Sequence, residues 1–282
     1  MKRNVCGKKA GSAASRWGRW ALALVLVGAT GLAQALVLAV NEGVTYRVSN
    51  DEIRAKYAAI ATDLGKLLGQ QVQVEPVGDY KALRQGLASK AYDLALVHPA
   101  HISIGALKGG YHLVAVTRGF TEYKASFLVR ADAPYKSLAD LKGLKLGLPD
   151  EDSITAWMVR ATIREALGDA KAVVYQHTRY QDAVPFMVEN TFTQAGATAA
   201  NALIKQWTAG GGKVLATSRP VPIKHVIASP ALSAEQVAKV RDYLTGLDNS
   251  DAGRKKLEPL KLQGWQAGNE AELLKLGAWL GL

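Results

Sequence analysis

Short apolar segments rich in β-branched residues alternate with helical patterns along most of the chain. This alternation limits the possible folds more than any other feature. Between residues 40 and 71, Ile53, Tyr57, Ile60 and Leu64 recur at helical spacing. Strands that alternate with helices of this length imply right-handed crossovers and largely parallel sheets. The sequence therefore predicts an α/β fold. The apolar segments are LVLAV (36–40), QVQVEPV (71–77), DLALV (93–97), HLVAV (112–116), SFLVR (126–130), LKLGL (144–148), AVVYQ (172–176), KVLAT (213–217) and HVIAS (225–229).

Helix boundaries can be assigned at several points. Gly69 is placed to end the first helix, and Ser153 is placed to open another. Ser233, with Gln236 three residues later, predicts a capping box ahead of a helix over 233–247. Further helices are predicted around 80–89 and over 179–189. The segment 195–202 is rich in small residues, and we interpret it as the start of a helix.

The first 35 residues have the composition of a removable secretory signal peptide. Six basic residues and no acid precede or flank an apolar stretch at 20–31, and Ala33-Gln34-Ala35 is a small-x-small cleavage site. A transmembrane helix needs roughly 20 predominantly apolar residues, and this stretch is shorter. We therefore expect export to the periplasm with cleavage near Ala35 and Leu36. The alternative is an uncleaved N-terminal anchor.

Removal of this segment changes the charge and the cysteine content. The formal net charge of the whole chain is +11, and loss of the six basic residues leaves +5. Because no basic run with interleaved aromatics follows, nucleic-acid binding is not indicated. The only cysteine is Cys6, so the mature chain would contain no disulfide, thiolate metal ligand or cysteine nucleophile.

A family resemblance becomes recognisable within residues 78–148. Residues 78–107 read GDYKALRQGLASKAYDLALVHPAHISIGAL, and residues 122–148 read EYKASFLVRADAPYKSLADLKGLKLGL. The pattern is a tyrosine-led helix, an Asp-containing strand that closes on Pro, a Tyr-x-x-Ser strand entry and S-L-x-D-L-K-G. It resembles the phosphate/phosphite/phosphonate-binding family of ABC-transporter periplasmic proteins. The resemblance covers most of the mature chain and weakens beyond about residue 247.

The resemblance implies a two-lobed, type II periplasmic binding protein fold, with mostly parallel sheets flanked by helices and a ligand cleft between the lobes. The chain is expected to cross between lobes near 123–127 and again near 219–225. The expected division is a signal peptide at 1–35, lobe 1 at 36–125 plus 223–282, and lobe 2 at 126–222. In open α/β sheets, ligands bind beyond the carboxyl ends of the strands.

The segment DEDSITA (150–156) lies between a predicted strand and a predicted helix, where free amides and the helix dipole can hold an oxyanion. The phosphonate-binding relatives have D-x-x-S-T-S-G at this turn. Ser153 and Thr155 match that pattern, whereas Ile154 and Ala156 depart from it. Three acids also crowd the turn, which disfavours a bound dianion. The alternative interpretation is that Asp152 or Ser153 only caps the helix.

Two histidines form H-P-A-H (98–101) directly after a strand. His98 is expected to donate a hydrogen bond to the ligand; the alternative is a helix-start residue satisfied by backbone. A metal site needs three or four placed donors. Because no third ligand is recognisable and the mature chain has no cysteine, we expect no metal and no other cofactor.

The remaining candidates for ligand contact follow other strands or lie at a crossing. Tyr46, in the turn after the first strand, and Tyr123, at the first crossing, can offer a ring face and a hydroxyl. The resemblance places a ligand-contacting tyrosine at the position of Tyr123 and a histidine at His177. Arg179 could pair with an anion bidentately, or it could be a solvated surface residue.

These features predict a periplasmic solute-binding component of an ABC transporter that captures a small oxyanion, phosphonate-like or phosphate-like, by lobe closure. Its partners would be the solute and an inner-membrane permease, and the protein would be a monomer. One alternative is a ligand-sensing subunit for a membrane receptor kinase. A hydrolase built on His98 or His177 is disfavoured because the sequence has no G-x-S-x-G, H-E-x-x-H, G-x-G-x-x-G or P-loop motif.

Overall fold

Two β-sheets organise the protein. The computed structural model describes residues 35–43 and 48–282. The first sheet has the strand order β11-β4-β10-β3-β1-β2, and the second has the order β7-β6-β8-β5-β9. The strands are β1 (Leu36–Asn41), β2 (Val72–Pro76), β3 (Leu94–Val97), β4 (His112–Thr117), β5 (Ser126–Val129), β6 (Lys145–Leu148), β7 (Val174–His177), β8 (Ala195–Thr198), β9 (Lys213–Thr217), β10 (His225–Ala228) and β11 (Trp265–Gln266).

Helices connect these strands and flank the sheets. Their bounds are α1 (Asn50–Leu68), α2 (Tyr80–Ala88), α3 (Ala100–Lys108), α4 (Ile154–Leu167), α5 (Ala183–Glu189), α6 (Asn201–Ala209), α7 (Ala234–Gly246), α8 (Asp251–Leu257) and α9 (Glu270–Leu280). Within the described residues, no helix is both long enough and apolar enough to span a membrane.

Most strands of each sheet run in one direction. Strand β1 pairs in parallel with β2 and β3, and β6 pairs in parallel with β7 and β8. Strand β10 is antiparallel to both β3 and β4, and β5 is antiparallel to both β8 and β9. Each of these two antiparallel strands follows directly after the chain passes from one sheet to the other. The predicted α/β fold with mostly parallel sheets is confirmed.

The two connecting segments lie side by side. Tyr123 and Val221 form an isolated antiparallel bridge, with Val221 N donating to Tyr123 O at 2.9 Å. Ser218 N donates to Ala125 O on one side of the bridge, and Ile223 N donates to Phe120 O on the other. The first sheet takes its strands from 36–117 and 225–266, and the second takes its strands from 126–217. The exact lobe boundaries stay a prediction.

Helix α1 forms as predicted. Its apolar spacing and the residues at both of its ends all favour the same helix. Ser49 accepts a hydrogen bond from Glu52 N, and the helix ends at Leu68 before Gly69. Ile53, Tyr57 and Leu64 are buried against the first sheet. A helix with caps at both ends and a continuous apolar face can be assigned from sequence because local and tertiary preferences coincide.

The segment 195–202 was predicted to start a helix, but only its last two residues do so, because α6 begins at Asn201. Residues 195–198 form strand β8, which is fully buried between β6 and β5. A Cβ on Gly196 would lie 2.7 Å from side-chain atoms of both Val184 and Val188. The small residues are therefore required because α5 packs directly on this strand. The helix predicted from residue 179 begins instead at Ala183, and the strand predicted at 172–176 lies at Val174–His177.

One apolar core continues from the first sheet into the second. Val97 and Ile104 belong to the same buried cluster as Phe127 and Leu148, and Val221 in the second connection lies within it. A second cluster fills the opposite face of the first sheet beneath α1 and α7. The lobes thus share packed side chains at the connections.

Replacing Ser233 with alanine is expected to lower the free energy of unfolding by about 1 kcal/mol. The predicted capping box is present: Gln236 N donates to Ser233 Oγ at 3.2 Å, and Ser233 N donates to Gln236 Oε1 at 2.9 Å. Urea denaturation would measure the loss. Ser233→Asp, which keeps an acceptor at the cap, should retain most of the stability, and equal losses in both variants would contradict the capping role.

Candidate ligand-binding site

Two adjoining cavities open where the carboxyl ends of strands from both sheets face one another. The larger, of about 610 Å³, lies between residues 78–81 on the first-sheet side and residues 150–152 and 177–179 on the second-sheet side. The smaller, of about 450 Å³, is lined by Glu42 and Gly43 among others. Gly78 and Arg179 line both cavities. We call this continuous space the cleft.

The N-terminus of α4 directly follows residues 150–152 of the cleft lining. Ser153 caps the helix, since its Oγ accepts a hydrogen bond from Ala156 N at 3.2 Å. Ser153 and Thr155 are both buried. The capping interpretation of Ser153 is therefore correct, yet capping uses only the acceptor side of its hydroxyl. The hydroxyl proton and the positive end of the helix dipole remain suited to an anion.

A chain of side-chain hydrogen bonds orients Tyr123. Gln181 Nε2 donates to Tyr123 Oη at 3.2 Å. Gln181 Oε1 in turn accepts from Thr198 Oγ1 and from Ala199 N, both at 2.8 Å. Thr155 Oγ1 lies 3.5 Å from Tyr123 Oη, which is long for a hydrogen bond between hydroxyls. We call Thr155, Tyr123, Gln181 and Thr198 the hydroxyl relay.

The relay fixes the direction of donation at Tyr123. Because Gln181 presents its NH₂ group to Tyr123, the phenolic oxygen serves as the acceptor in that bond. The phenolic proton is then directed away from Gln181. It can be donated to an oxygen atom of a ligand at the N-terminus of α4.

His98 lies beside Tyr123 and is neutral. The two rings meet edge to face with centroids 6.3 Å apart. Burial first, and then the charges of Lys224 and the neighbouring histidines, together lower the pKa of His98 to about 3. Gly43 passes directly over the ring: a Cβ at Gly43 would lie 2.9 Å from His98 Cδ2, and its φ of +94° favours glycine.

His177 and Arg179 are exposed and line the larger cavity of the cleft. His177 Nδ1 donates to the carbonyl oxygen of Pro149 at 2.8 Å, so Nε2 is the ring nitrogen that is left for other contacts. The guanidinium of Arg179 lies 5.4 Å from the ring centre of Tyr180, and the Arg179 side chain is exposed. The predicted site residues thus form two groups: an inner group of Tyr123, Thr155 and His98, which contact one another, and an outer group of His177 and Arg179, which are exposed.

An ion pair that the sequence did not suggest borders the cleft. Lys224 Nζ donates to Glu42 Oε2 at 3.0 Å, and Tyr57 Oη donates to Glu42 Oε1 at 2.6 Å. Lys224 has a φ of 62°, and its backbone is held by hydrogen bonds to His98 O and from Thr117. A lysine adopts a left-handed backbone conformation only where the surroundings impose it. The Lys224 backbone is therefore held beside His98, and its ammonium group is held by Glu42.

Two of the three acids in the 150–152 turn accept hydrogen bonds from other groups of the protein. Asp150 Oδ1 accepts from Asp152 N at 2.9 Å, and both Asp152 oxygens accept from Arg84, each at 2.5 Å. Burial raises the pKa of Asp152, but contacts with His101, Arg84 and Trp157 outweigh burial and hold that pKa well below its usual range. The Asp152 charge is thus balanced, and it is Ser153 rather than Asp152 that caps α4.

Tyr46 lies outside the described residues. No group of three or more His, Cys, Asp or Glu side chains in the described part of the chain is arranged to hold a metal ion. The two histidines of H-P-A-H face different neighbours: His98 lies against Tyr123, whereas His101 stacks on Trp157.

The sequence-based candidates omitted Gln181 and Glu42, although a positional signal existed for both. Gln181 lies in the turn after β7, and Glu42 directly follows β1. Both positions are at carboxyl ends of parallel strands, where ligand-facing residues are expected.

A family model matches residues 43–273 of the chain. The family is described as the phosphonate periplasmic substrate-binding proteins of ABC transporters. No curated protein sequence matches significantly.

Solved structures with the same fold cover nearly the whole chain. A Xanthomonas citri protein bound to ATP is 14% identical, with a TM-score of 0.73 over 88% of this chain and 98% of that one. PhnD1 from Prochlorococcus marinus, in complex with methylphosphonate, is 16% identical, with a TM-score of 0.65 over 86% and 96%. The aliphatic sulphonate binding protein SsuA from Escherichia coli is 17% identical, with a TM-score of 0.53 over 86% and 89%. These likenesses establish the two-lobed fold.

Proposed function

Because the chain belongs to the family of phosphonate periplasmic substrate-binding proteins of ABC transporters, we propose that it captures a small oxyanion in the cleft by lobe closure. The ligand would be a phosphonate, a phosphate or an anion of similar shape. The protein would deliver it to an inner-membrane permease. Lobe 1 would comprise 36–125 plus 223–282, and lobe 2 would comprise 126–222.

One observation supports the proposal: Tyr123 Oη accepts from Gln181 and lies 3.5 Å from Thr155 Oγ1, so its proton is available to a ligand at the N-terminus of α4. Ser153 and Thr155 lie at that helix end, where backbone amides and the dipole favour negative charge. Since His98 is neutral, it can complete the site as a hydrogen-bonding group without adding charge. His98, Ser153 and Thr155 are buried, so a ligand would reach them only when the lobes separate.

Several properties follow as parts of the same proposal. The first 35 residues would direct export and be removed near Ala35 and Leu36. The mature protein would act in the periplasm as a monomer, without catalysing a reaction and without binding nucleic acid. The receptor-kinase alternative is not favoured, because the family consists of ABC-transporter components.

A correct ligand at ten times its Kd is expected to raise the free energy of unfolding by about 1.4 kcal/mol. For a chain of this size, that corresponds to a rise in Tm of roughly 3–6 °C. A thermal-shift screen would compare methylphosphonate, phosphate, phosphite, methanesulfonate and acetate. Isothermal titration would then give the Kd of the strongest probe.

Tyr123→Phe is the matched variant for that titration. It keeps the ring beside His98 and removes the hydroxyl, and with it both the donated proton and the acceptor of the Gln181 hydrogen bond. The affinity for the oxyanion should therefore fall about tenfold. The absence of any shift across the panel, with correctly folded protein, would argue against an oxyanion ligand. Unchanged affinity in Tyr123→Phe would instead place the ligand elsewhere.

A further inference from the structure

We propose that Arg84 and Asp152, which belong to different lobes, form a clasp that holds the lobes closed and neutralises the acid beside the N-terminus of α4. The inference rests on the proposed function, since a clasp matters only if the cleft opens and closes. We use the word clasp for Arg84, His101, Asp152 and Trp157.

The ion pair at the centre of the clasp has the geometry of a strong contact. Arg84, in α2 beside the first sheet, donates from Nη1 to Asp152 Oδ2 and from Nη2 to Asp152 Oδ1, both at 2.5 Å. Asp152 belongs to the turn between β6 and α4 in the second-sheet lobe. Planar two-point pairing of this kind is specific to arginine. The pair therefore connects the lobes at one defined separation.

Ring stacking supports the same connection. The rings of His101, in α3, and Trp157, in α4, stack with centroids 5.2 Å apart and planes 20° from parallel. Trp157 Nε1 also donates to Asp152 Oδ1 at 3.2 Å. His101 Nε2 lies 3.4 Å from the same oxygen. The carboxylate of Asp152 thus contacts two groups of the first-sheet lobe and one of its own.

The clasp divides two open spaces. Asp152 lines the larger cavity of the cleft, whereas Arg84, His101 and Trp157 line a groove of about 540 Å³. The clasp side chains therefore connect α2 and α3 with α4 between these two spaces. Separation of the lobes would break this contact and would leave both charges, whose side chains are 42% and 34% exposed in the pair, without their partner.

The position of Asp152 couples closure to ligand charge. Asp152 directly precedes Ser153, the cap of α4. Without Arg84, its carboxylate would stand uncompensated beside the helix end where an oxyanion is proposed to bind, and like charges repel. Arg84 therefore acts as a positioning residue whose effect on affinity passes through Asp152.

The distance between the lobes in ligand-free protein tests the clasp. Cys6 is the only cysteine, so Cys6→Ser combined with Ala59→Cys in α1 and Lys205→Cys in α6 places one spin label on each lobe at exposed positions. Pulsed electron paramagnetic resonance would report the distribution of separations. Asp152→Asn and Arg84→Gln should each lower the ratio of closed to open molecules about fivefold.

Three comparisons make the result specific. Arg54→Gln removes an arginine–aspartate pair that lies within α1, and it should leave the distribution unchanged. Arg84→Lys keeps the charge but loses the two-point geometry, so it should give an intermediate ratio. The double variant Arg84→Gln/Asp152→Asn should match the single variants, because one interaction is lost in all three.

The outcomes separate the clasp from the proposed function. Clasp variants with the same distance distribution as Arg54→Gln would overturn the clasp, whatever the ligand. Failure of every oxyanion probe would overturn the proposed ligand class while leaving the distance result intact. If methylphosphonate binds, its Kd should rise about fivefold in Arg84→Gln, matching the shift in the closed population.

Discussion

Acidification from pH 6.5 to pH 4.5 is expected to lower the free energy of unfolding by about 5 kcal/mol, roughly half from each of His98 and His225. Burial lowers the pKa of both histidines from 6.5 to about 3. Above pH 6.5, the folded and unfolded chains both keep these rings neutral. Below it, the unfolded chain binds protons that the folded chain excludes, so stability falls until the pH reaches about 3.

The pH window separates this effect from that of the carboxylates. Asp63 and Asp152, whose pKa values are lowered in the fold, begin to lose their contribution only as the pH approaches their ordinary values near 4. Burial also lowers the pKa of His101, which adds to the loss in the same direction. The interval between pH 6.5 and pH 4.5 therefore reports mainly on buried histidines.

Urea denaturation at half-unit pH intervals would measure the slope. His225→Gln removes one titrating group, so the slope should fall by about one proton, or about 1.4 kcal/mol per pH unit. Glutamine can still bond to Ser103, whose Oγ lies 2.6 Å from His225 Nδ1. The same substitution at the exposed His112 is the matched control. Equal slopes in wild type and His225→Gln would contradict the proposed origin.

A neutral His98 also constrains how the cleft would balance an anion. The positive groups near the relay are the amides of α4, its dipole and Lys224, which is already paired with Glu42. Lys224 could pair with a bound anion only by leaving Glu42. The Glu42 carboxylate would then keep only its hydrogen bond from Tyr57. Recognition at the inner site would therefore rely mainly on hydrogen-bond donors of fixed direction.

The fold could be predicted because the features that specify it are local and periodic. The alternation of strands and helices, the cap at Ser233 and the apolar face of α1 are each contained in a short segment. Strand β8 was not predicted because its residues are small rather than β-branched. Their size is set by α5, which packs against Gly196. A constraint imposed by a neighbouring element leaves no periodic signal in the segment itself.

The candidate site was predictable only as a set of positions. Ser153, Thr155 and His98 lie where strand ends and helix starts placed them, and Tyr123 lies at the connection between lobes. The partners of these residues were not predictable. Arg84 and Asp152 are 68 residues apart, and their pairing depends on how the lobes meet.

Gln181 connects Tyr123 of the relay to Thr198 at the end of strand β8 in the second sheet. Gln181→Leu should lower the free energy of unfolding by about 3 kcal/mol, since it leaves the buried Thr198 hydroxyl and Ala199 amide without this acceptor and removes the donor to Tyr123. Each group that loses its partner in the interior costs about 1–3 kcal/mol. Urea denaturation of wild type and variant would measure the difference.

The same substitution should weaken oxyanion binding more than Tyr123→Phe does. Gln181→Leu frees the Tyr123 hydroxyl to rotate, so its proton is no longer directed to the end of α4, and the loop at 198–200 loses its anchor. We expect a fall in affinity of about thirtyfold, equivalent to about 2 kcal/mol. Gln206→Leu, at an exposed position in α6, is the matched control. If Gln181→Leu destabilised the fold but bound methylphosphonate as tightly as wild type, the relay would be structural, and the donors to the anion would have to come from the outer group of His177 and Arg179.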